Sequence, residues 1–168
     1  MEFEGVPGPI TLMVGWVALP LVTVLISIAL YPSLSPLGLV WFAGLGWWSV
    51  PGVTILTIGT YILVSSWRIL RQSLSRKISS EEHLPGLVQT GPYRFSRNPM
   101  YLGGALDWAG WSLLTVSAWF LIIALAIYLG VFVLGVPHEE RKLEVAYGVD
   151  YIRYKRRVGR VLSISQLR

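Results

Sequence analysis

The 168-residue sequence predicts an all-α fold, a polytopic bundle of about four transmembrane helices followed by amphipathic helices at its C-terminal end. Hydrophobic residues make up 54% of the chain and charged residues only 14%. The mean hydropathy is +0.59, and the apolar residues form long unbroken runs. Lipid admits only helices or closed barrels, and continuous apolar runs lack the alternation of barrel strands. We therefore expect one integral membrane domain over 1–168.

The N-terminal part, 1–72, contains two predicted spans. The first runs from about Pro9 to Leu30, and its acidic leader lacks the basic region and cleavage site of a signal peptide. The stretch 37–50 is short and rich in Gly and Trp, which favours an interfacial or re-entrant segment. If this stretch crosses the membrane instead, the number of spans rises to five. The second clear span runs from about Val53 to Leu70.

A polar stretch, 73–99, is predicted to be a loop with two Gly/Pro turns. At its end Asn98 is a natural N-cap and Pro99 a natural first helical residue, so the third span should begin there. The apolar segment 100–136 is long enough to cross twice. We expect it to fold back near Ser117 as a helical hairpin.

All 14 Lys and Arg residues lie in two stretches, 68–97 and 141–168, one on each side of this hairpin. Because basic residues concentrate in loops retained in the cytoplasm, both ends of the hairpin should face the cytoplasm. Topology and anionic lipid headgroups account for this charge, so we expect membrane lipids and no nucleic acid as partners. The sequence therefore predicts an integral, multi-pass membrane protein.

The C-terminal part, 137–168, reads as amphipathic helix, with a break at Gly148 and a possible new cap at Asp150. Its basic face suits a helix lying along the cytoplasmic membrane surface. The apolar side chains recur at spacings of three and four, and the tyrosines among them favour interfacial anchoring over the wall of a binding site. These residues are Leu143, Tyr147, Tyr151 and Tyr154.

Polar residues flank the hairpin on both sides, in "RNPMY" (97–101) and "HEE" (138–140). If both flanks meet, arginine, asparagine, tyrosine and glutamate converge at one depth. The alternative is that Arg94 and Arg97 only snorkel to lipid phosphates. Glu139 and Glu140 are adjacent, so on a helix they point about 100° apart and one should face inward. The alternative for this pair is a solvated helix start, where acidic groups are favoured.

Other chemistry finds little support in the sequence. The chain has no cysteine, which excludes disulfides and thiol nucleophiles. His83 and His138, without cysteine, do not form a zinc-binding pattern, so no metal is expected. Asp107 lies inside the third predicted span, where a carboxylate should face a cavity or a partner. Asp107 has either a functional role or a structural one, in which it forms a hydrogen bond with a Trp or Ser of a neighbouring helix.

The segment "LVQTGPYRFSRNPMYLGG", the hairpin and "HEERKLEVAYGVDYIRYKRRVGRVL" together resemble the isoprenylcysteine carboxyl methyltransferase and phospholipid N-methyltransferase superfamily. These are integral membrane enzymes that use S-adenosylmethionine. The family's motifs, in order, match 91–94, 97–101, 139–140 and 147–154. The resemblance covers roughly 87–162, nearly half of the chain.

The resemblance implies a pocket for S-adenosylmethionine at the cytoplasmic mouth, with lateral access for a lipophilic acceptor. Glu139 or Glu140 would hold the ammonium of the cofactor, and Arg97 or Arg94 its carboxylate. Carried over by position, the implied cofactor contacts are Leu87, Val88, Gly91, Tyr93, Arg97, Asn98, Pro99, Tyr101, Gly103, Glu139 and Glu140.

The implied catalytic residues are Arg160 and Glu140, and their roles depend on the acceptor. Arg160 or Arg157 would orient a carboxylate like that of isoprenylcysteine. Glu140 would take up the proton of an amine such as phosphatidylethanolamine, the alternative acceptor. A non-enzymatic membrane scaffold or lipid-binding protein is the alternative from another class.

The chain departs from the family pattern at two places. Asn98 stands where the eukaryotic carboxyl methyltransferases have His, and Asn can donate a hydrogen bond but cannot act as a base. Gly159 replaces the more usual Pro before Arg160, which loosens that turn.

Overall fold

The computed structural model describes residues 49–79, 86–115, 118–130 and 135–163, together with the isolated positions 22, 25, 29, 46, 47 and 133. The described residues form five α-helices and one short 3-10 helix, which confirms the all-α prediction for this part of the chain. Most of the first predicted span and most of the stretch 37–50 lie outside the described residues, as does the turn near Ser117. The helices are α1 Ser49–Ser79, α2 Pro99–Thr115, α3 Ala118–Gly130, α4 Val136–Tyr147 and α5 Val149–Arg157, and the 3-10 helix is Gly91–Arg94.

Helix α1 contains the second predicted span. Among the described residues it is the one helix long and apolar enough to cross a membrane, over Ser49–Ser73. Its apolar side chains, Val53 and Tyr61 among them, are largely exposed on the protein surface, as lipid-facing residues are. The helix continues to Ser79 and so takes up the first part of the stretch predicted to be a loop. The reason is that no Gly or Pro follows Leu70 until Pro85.

Helices α1 and α2 pack antiparallel through glycines that let their backbones touch. A Cβ added at Gly103 would lie 2.8 Å from the carbonyl oxygen of Gly59 and 2.8 Å from the amide nitrogen of Leu63. Near the other end of α2, a Cβ at Gly110 would lie 2.9 Å from the carbonyl oxygen of Gly52. Small residues permit such close approach between membrane helices. The packing fixes the first turn of α2 relative to α1.

Asp107 of α2 faces α1 and is buried. The Thr60 hydroxyl of α1 donates a hydrogen bond of 3.0 Å to Asp107 Oδ1. The expectation that Asp107 faces a partner is confirmed, and the partner is a threonine, whereas the structural alternative had named a Trp or Ser. The carboxylate joins α1 to α2.

Helices α2 and α3 contact each other as the hairpin prediction requires. Helix α2 has 17 residues and α3 has 13, each short of the roughly 20 that a complete span needs. The exposed side of α3 is aliphatic and includes Leu121, Leu125 and Leu129. Two crossings by this hairpin, and the multi-pass topology, stay predictions.

The break between α4 and α5 lies at Gly148, as predicted, with a positive φ of 52° that favours glycine. The predicted cap at Asp150 is wrong. The helix resumes directly after the glycine, so Gly148 is the cap and Asp150 lies in the first turn of α5. An ion pair between Glu144 and Lys155 joins the two helices.

The predicted membrane anchoring by the C-terminal tyrosines is also wrong. Tyr151 and Tyr154 are buried in a cluster with Val158, and Leu87 and Leu143 pack against it. The spacing of the tyrosines correctly predicted an apolar face. The loop before α2, and not lipid, covers that face.

Candidate active site

The loop before α2 and the segment after α5 run side by side and hold the site together through their backbones. The amide of Arg97 donates to the carbonyl of Gly159 at 3.0 Å, and the amide of Ser163 donates to the carbonyl of Phe95 at 2.7 Å. Buried peptide groups need such partners. The two flanks of the hairpin therefore meet, which confirms the predicted adjacency.

Ser96 and Asn98 fix the position of Arg160 by binding its carbonyl oxygen. Asn98 Nδ2 donates to that oxygen at 3.2 Å, and Ser96 Oγ donates to it at 3.3 Å. The Asn98 carbonyl accepts the first hydrogen bond of α2, from Leu102, so Asn98 lies at the predicted helix start. Ser96 was missed in the sequence analysis because a loop serine carries no spacing signal, although it lies in the quoted "RFSRNP".

Glu140 lies at the centre of the cluster, in the first turns of α4, and binds two arginines. Arg160 donates through Nε to Glu140 Oε1 at 3.2 Å and through Nη2 to Oε2 at 2.8 Å. Arg97 Nη1 lies 3.1 Å from Glu140 Oε1. The side chains of Arg97 and Glu140 are 8% and 5% exposed, whereas that of Arg160 is 41% exposed. Glu140 is thus the inward-facing member of the predicted pair.

Arg97 retains unused hydrogen-bonding capacity in this buried position. The contact of Nη1 with Glu140 is within ion-pair distance but lacks the angle of a hydrogen bond. Nε and Nη1 of Arg97 are therefore buried donors without a hydrogen-bond partner in the described part of the chain. Such donors are costly to leave unmade. The chemistry of this arrangement fits an anionic ligand group.

Glu139 lies beside Glu140 but enters a separate polar contact. The Tyr101 hydroxyl donates to Glu139 Oε1 at 2.7 Å, joining the first turn of α2 to the first turn of α4. Burial, with a smaller contribution from the Glu139 carboxylate, raises the pKa of Tyr93. Tyr93 therefore lies within electrostatic reach of Glu139. This half-buried carboxylate carries no ion pair within the described ranges.

The tyrosines of α5 form the inner wall of the cluster. Tyr154 donates its hydroxyl to the carbonyl of Tyr93 at 2.7 Å. Burial, followed by the nearby Glu140 charge, raises the pKa of Tyr151 to about 12, against an opposing effect of Arg97. Hydrogen bonding to Glu140 raises the pKa of the Arg160 guanidinium. At neutral pH Tyr151 and Tyr154 are therefore uncharged, and Arg160 carries a positive charge.

Several predicted site residues lie at the edge of the cluster or away from it. Gly103 faces α1, as described above, and Gly91, with a φ of 61°, lies against Ile69 of α1. Leu87 packs on the tyrosine cluster, and Val88 beside it is half-buried. Pro99 is fully buried as the first residue of α2.

Two further candidate arginines, Arg94 and Arg157, lie outside the cluster. Arg94 is exposed, so of the two loop arginines only Arg97 enters it. Arg157 is exposed and donates through Nη2 to Gln89 Oε1 at 2.9 Å. Among the described residues no group of three His, Cys, Asp or Glu side chains lies close enough to bind a metal ion.

Comparisons with known proteins agree with the motifs. The family model described as phospholipid methyltransferase matches residues 47–150, more than half of the chain. These residues contain Arg97, Asn98 and both glutamates, and they end before Arg160. Arg160 lies outside this match, and its hydrogen bonds to Glu140 place it in the cluster.

A protein-S-isoprenylcysteine O-methyltransferase of Saccharomyces cerevisiae is 30% identical to the chain over 115 residues. The match covers 66% of this chain and 47% of the yeast protein, so the chain spans about half the length of this curated relative. No solved structure shows significant similarity to the chain.

Proposed function

The chain belongs to the phospholipid methyltransferase family, as its motifs predicted, and from this premise we propose that it transfers a methyl group from S-adenosylmethionine to the carboxylate of a lipophilic acceptor. Methyltransferases of this family typically use S-adenosylmethionine. The observation that carries the proposal is the engagement of Glu140 by two arginines. It leaves a charged Arg160 and, among the described residues of the cluster, no free inward-facing base.

The fit of the cofactor rests on Arg97. Its buried Nε and Nη1 donors lack hydrogen-bond partners within the described residues, and a carboxylate is the group that a guanidinium binds best. We assign Arg97 to the carboxylate of the methionine part. S-adenosylmethionine would supply an electrophilic methyl group on a sulfonium. Burial of Arg97 keeps water from competing for these donors.

Glu139 is the better candidate for the ammonium of the cofactor. Glu140 already accepts contacts from two guanidinium groups, whereas Glu139 accepts one hydrogen bond, from the neutral Tyr101 hydroxyl. That bond orients the carboxylate and leaves lone pairs for a second donor. Tyr101 is then a positioning residue for Glu139.

We assign to Arg160 the role of orienting the acceptor. Its side chain is 41% exposed, and Glu140 holds it through two parallel hydrogen bonds. A guanidinium held in this way attracts an anionic acceptor and fixes its direction. A carboxylate attacks the methyl group without losing a proton, and the products are an ester and a neutral thioether. The reaction therefore needs orientation and exclusion of water but no general base.

An amine acceptor, as in phosphatidylethanolamine, requires a group that takes up a proton. Glu140 would have to give up its contacts with Arg97 and Arg160 to do so. The carboxylate acceptor is therefore favoured over the amine, and the name of the yeast relative agrees with it.

A direct test supplies the purified full-length chain with S-adenosylmethionine carrying a labelled methyl group and two acceptors. One is a prenylated cysteine with a free carboxylate, and the other is phosphatidylethanolamine. We expect label in the prenylated cysteine that alkali releases as methanol, because esters hydrolyse and methylamines do not. Label in phosphatidylethanolamine alone would replace the carboxylate proposal by N-methylation. Binding without any transfer would favour a non-enzymatic role.

A second test measures binding of S-adenosylhomocysteine by calorimetry. Arg97→Ala should reduce the affinity about 10- to 100-fold, since one charge-assisted hydrogen bond is worth about 1.5–3 kcal/mol. Arg94→Ala, which removes an exposed arginine three residues earlier, is the matched control and should bind normally. Equal affinities of the two variants would exclude Arg97 from the cofactor site.

A further inference from the structure

The side of α4 and α5 that faces away from the tyrosine cluster combines exposed aliphatic and basic side chains. Val145, Val149 and Ile152 are 82%, 69% and 43% exposed. The basic residues on these helices include Lys142, Arg153 and Arg156, all exposed. We call these six residues the outer face. Exposed aliphatic residues on a helix that already packs its other side require an explanation.

The inward side is already occupied and cannot supply that explanation. Tyr151 and Tyr154 are buried with Val158, and Leu87 and Leu143 cover them. The aliphatic residues of the outer face are therefore left exposed by the described part of the chain. Whatever covers its aliphatic residues comes from outside these residues.

The charge of this region selects the kind of partner. Residues 136–163 contain seven basic and four acidic side chains, a net charge of +3. Each acidic side chain already has a hydrogen-bond or ion-pair partner within the chain. Glu144 is paired with Lys155, and Asp150 is paired with Arg153. Within the described residues Lys142 and Arg156 have no ion-pair partner. Aliphatic residues among uncompensated cations are complementary to an anionic lipid surface.

The position of α4 brings this face to the membrane. Val136, its first residue, is fully buried and follows the aliphatic helix α3 after five residues. Tyr101, in the first turn of α2, binds Glu139 in the first turn of α4. The outer face therefore begins at the end of the apolar helices.

We propose that the outer face docks α4 and α5 onto the anionic headgroup layer of the protein's own bilayer. Val145, Val149 and Ile152 enter the headgroup region, and Lys142, Arg153 and Arg156 bind lipid phosphates. The docked helices carry Glu140, and Arg160 follows them, so the lipid surface braces the two segments that form the candidate site. This differs from anchoring by the tyrosines, which lie on the opposite side.

The absence of native cysteine permits a direct test. Val149→Cys and Ile152→Cys, each carrying a spin label, are reconstituted in neutral phosphatidylcholine vesicles and in vesicles with 30% phosphatidylglycerol. Label accessibility to oxygen and to a water-soluble nickel complex reports depth. We expect the labels to be lipid-inserted in the anionic vesicles, and largely water-exposed in neutral vesicles and at 1 M salt, where the screening length falls to about 3 Å.

Charge variants identify the residues responsible. Lys142→Gln/Arg156→Gln should lower the ratio of inserted to exposed label roughly 30-fold, because each cation near an anionic surface contributes about 1 kcal/mol, a factor of about five. Arg68→Gln/Arg71→Gln removes two exposed arginines from the C-terminal half of α1 and should leave the ratio unchanged. Equal loss in both variants would assign the effect to net charge and overturn the proposal.

Two further outcomes would also overturn it. Labels that stay water-exposed in anionic vesicles exclude lipid docking. Labels exposed in vesicles but protected in native membranes indicate a protein partner instead. The test measures no catalysis, so its result is independent of the proposed methyl transfer.

Discussion

Glu140→Gln removes the one negative charge shared by Arg97 and Arg160, and its cost follows from burial. The Arg97 and Glu140 side chains are 8% and 5% exposed, so the variant leaves a guanidinium buried without a counterion. Neutralising one partner of a buried pair costs about 3–5 kcal/mol. Arg160, at 41% exposed, can turn toward water, so its share is about 0–1 kcal/mol. We expect a total destabilisation of about 3–6 kcal/mol.

The assay is thermal unfolding of the detergent-solubilised protein, followed by tryptophan fluorescence. For a chain of this size each kcal/mol shifts Tm by about 2–4 °C, so Glu140→Gln should lower Tm by roughly 6–24 °C. Arg160→Gln is the matched control, because it removes the exposed partner of the same carboxylate, and should lower Tm by no more than about 4 °C.

A double-mutant cycle isolates the buried charge as the cause. In an Arg97→Gln background no buried cation remains, so adding Glu140→Gln should cost about 1 kcal/mol, the worth of an ordinary hydrogen bond. An undiminished cost in that background would refute the reasoning. So would a Tm of Glu140→Gln equal to that of the native protein.

Three further outcomes follow from the contacts. Tyr101→Phe should weaken S-adenosylhomocysteine binding about 10- to 100-fold in calorimetry with little change in Tm, since Glu139 loses a hydrogen bond that orients it; unchanged affinity would remove Tyr101 from the site. Gly103→Ala should lower the free energy of unfolding by about 1–3 kcal/mol, because its Cβ meets backbone atoms of α1, whereas Gly130→Ala, with no neighbouring atom, should be neutral or slightly stabilising in the same unfolding assay. The pKa of Tyr151 is raised from 10.0 to about 12, so its contribution to stability is complete below pH 10 and is lost as the pH rises toward 12; Tm measured against pH should fall less steeply there in Tyr151→Phe, and identical slopes would contradict the assignment.

Local sequence signals predicted the helix boundaries correctly where a single residue determines the backbone conformation. Pro99 begins α2, and Gly148 separates α4 from α5, because proline and glycine restrict or permit specific backbone angles whatever surrounds them. The cap at Asp150 was predicted wrongly. Acidic caps are a statistical preference, and the glycine directly before Val149 already starts the helix.

The candidate site was predicted in its residue types but not in its contacts. The motifs indicated that Arg97, Asn98 and the two glutamates converge, and the structure confirms that they do. The pairing of Glu140 with Arg160 carried no signal of its own. Ser96 was missed for the same reason.

By itself, the amino-acid sequence determined that the chain is helical and rich in apolar segments, and that its polar residues flank one hairpin. These properties follow from hydropathy and from residues that restrict the backbone locally. Only the tertiary structure decided that Glu140 binds both arginines, that Asp107 takes its hydrogen bond from Thr60, and that Tyr151 packs inward. Such contacts join residues that are distant in sequence, so they depend on how helices and loops pack against one another. Periodicity predicts that a helix has an apolar face, but packing determines what covers it.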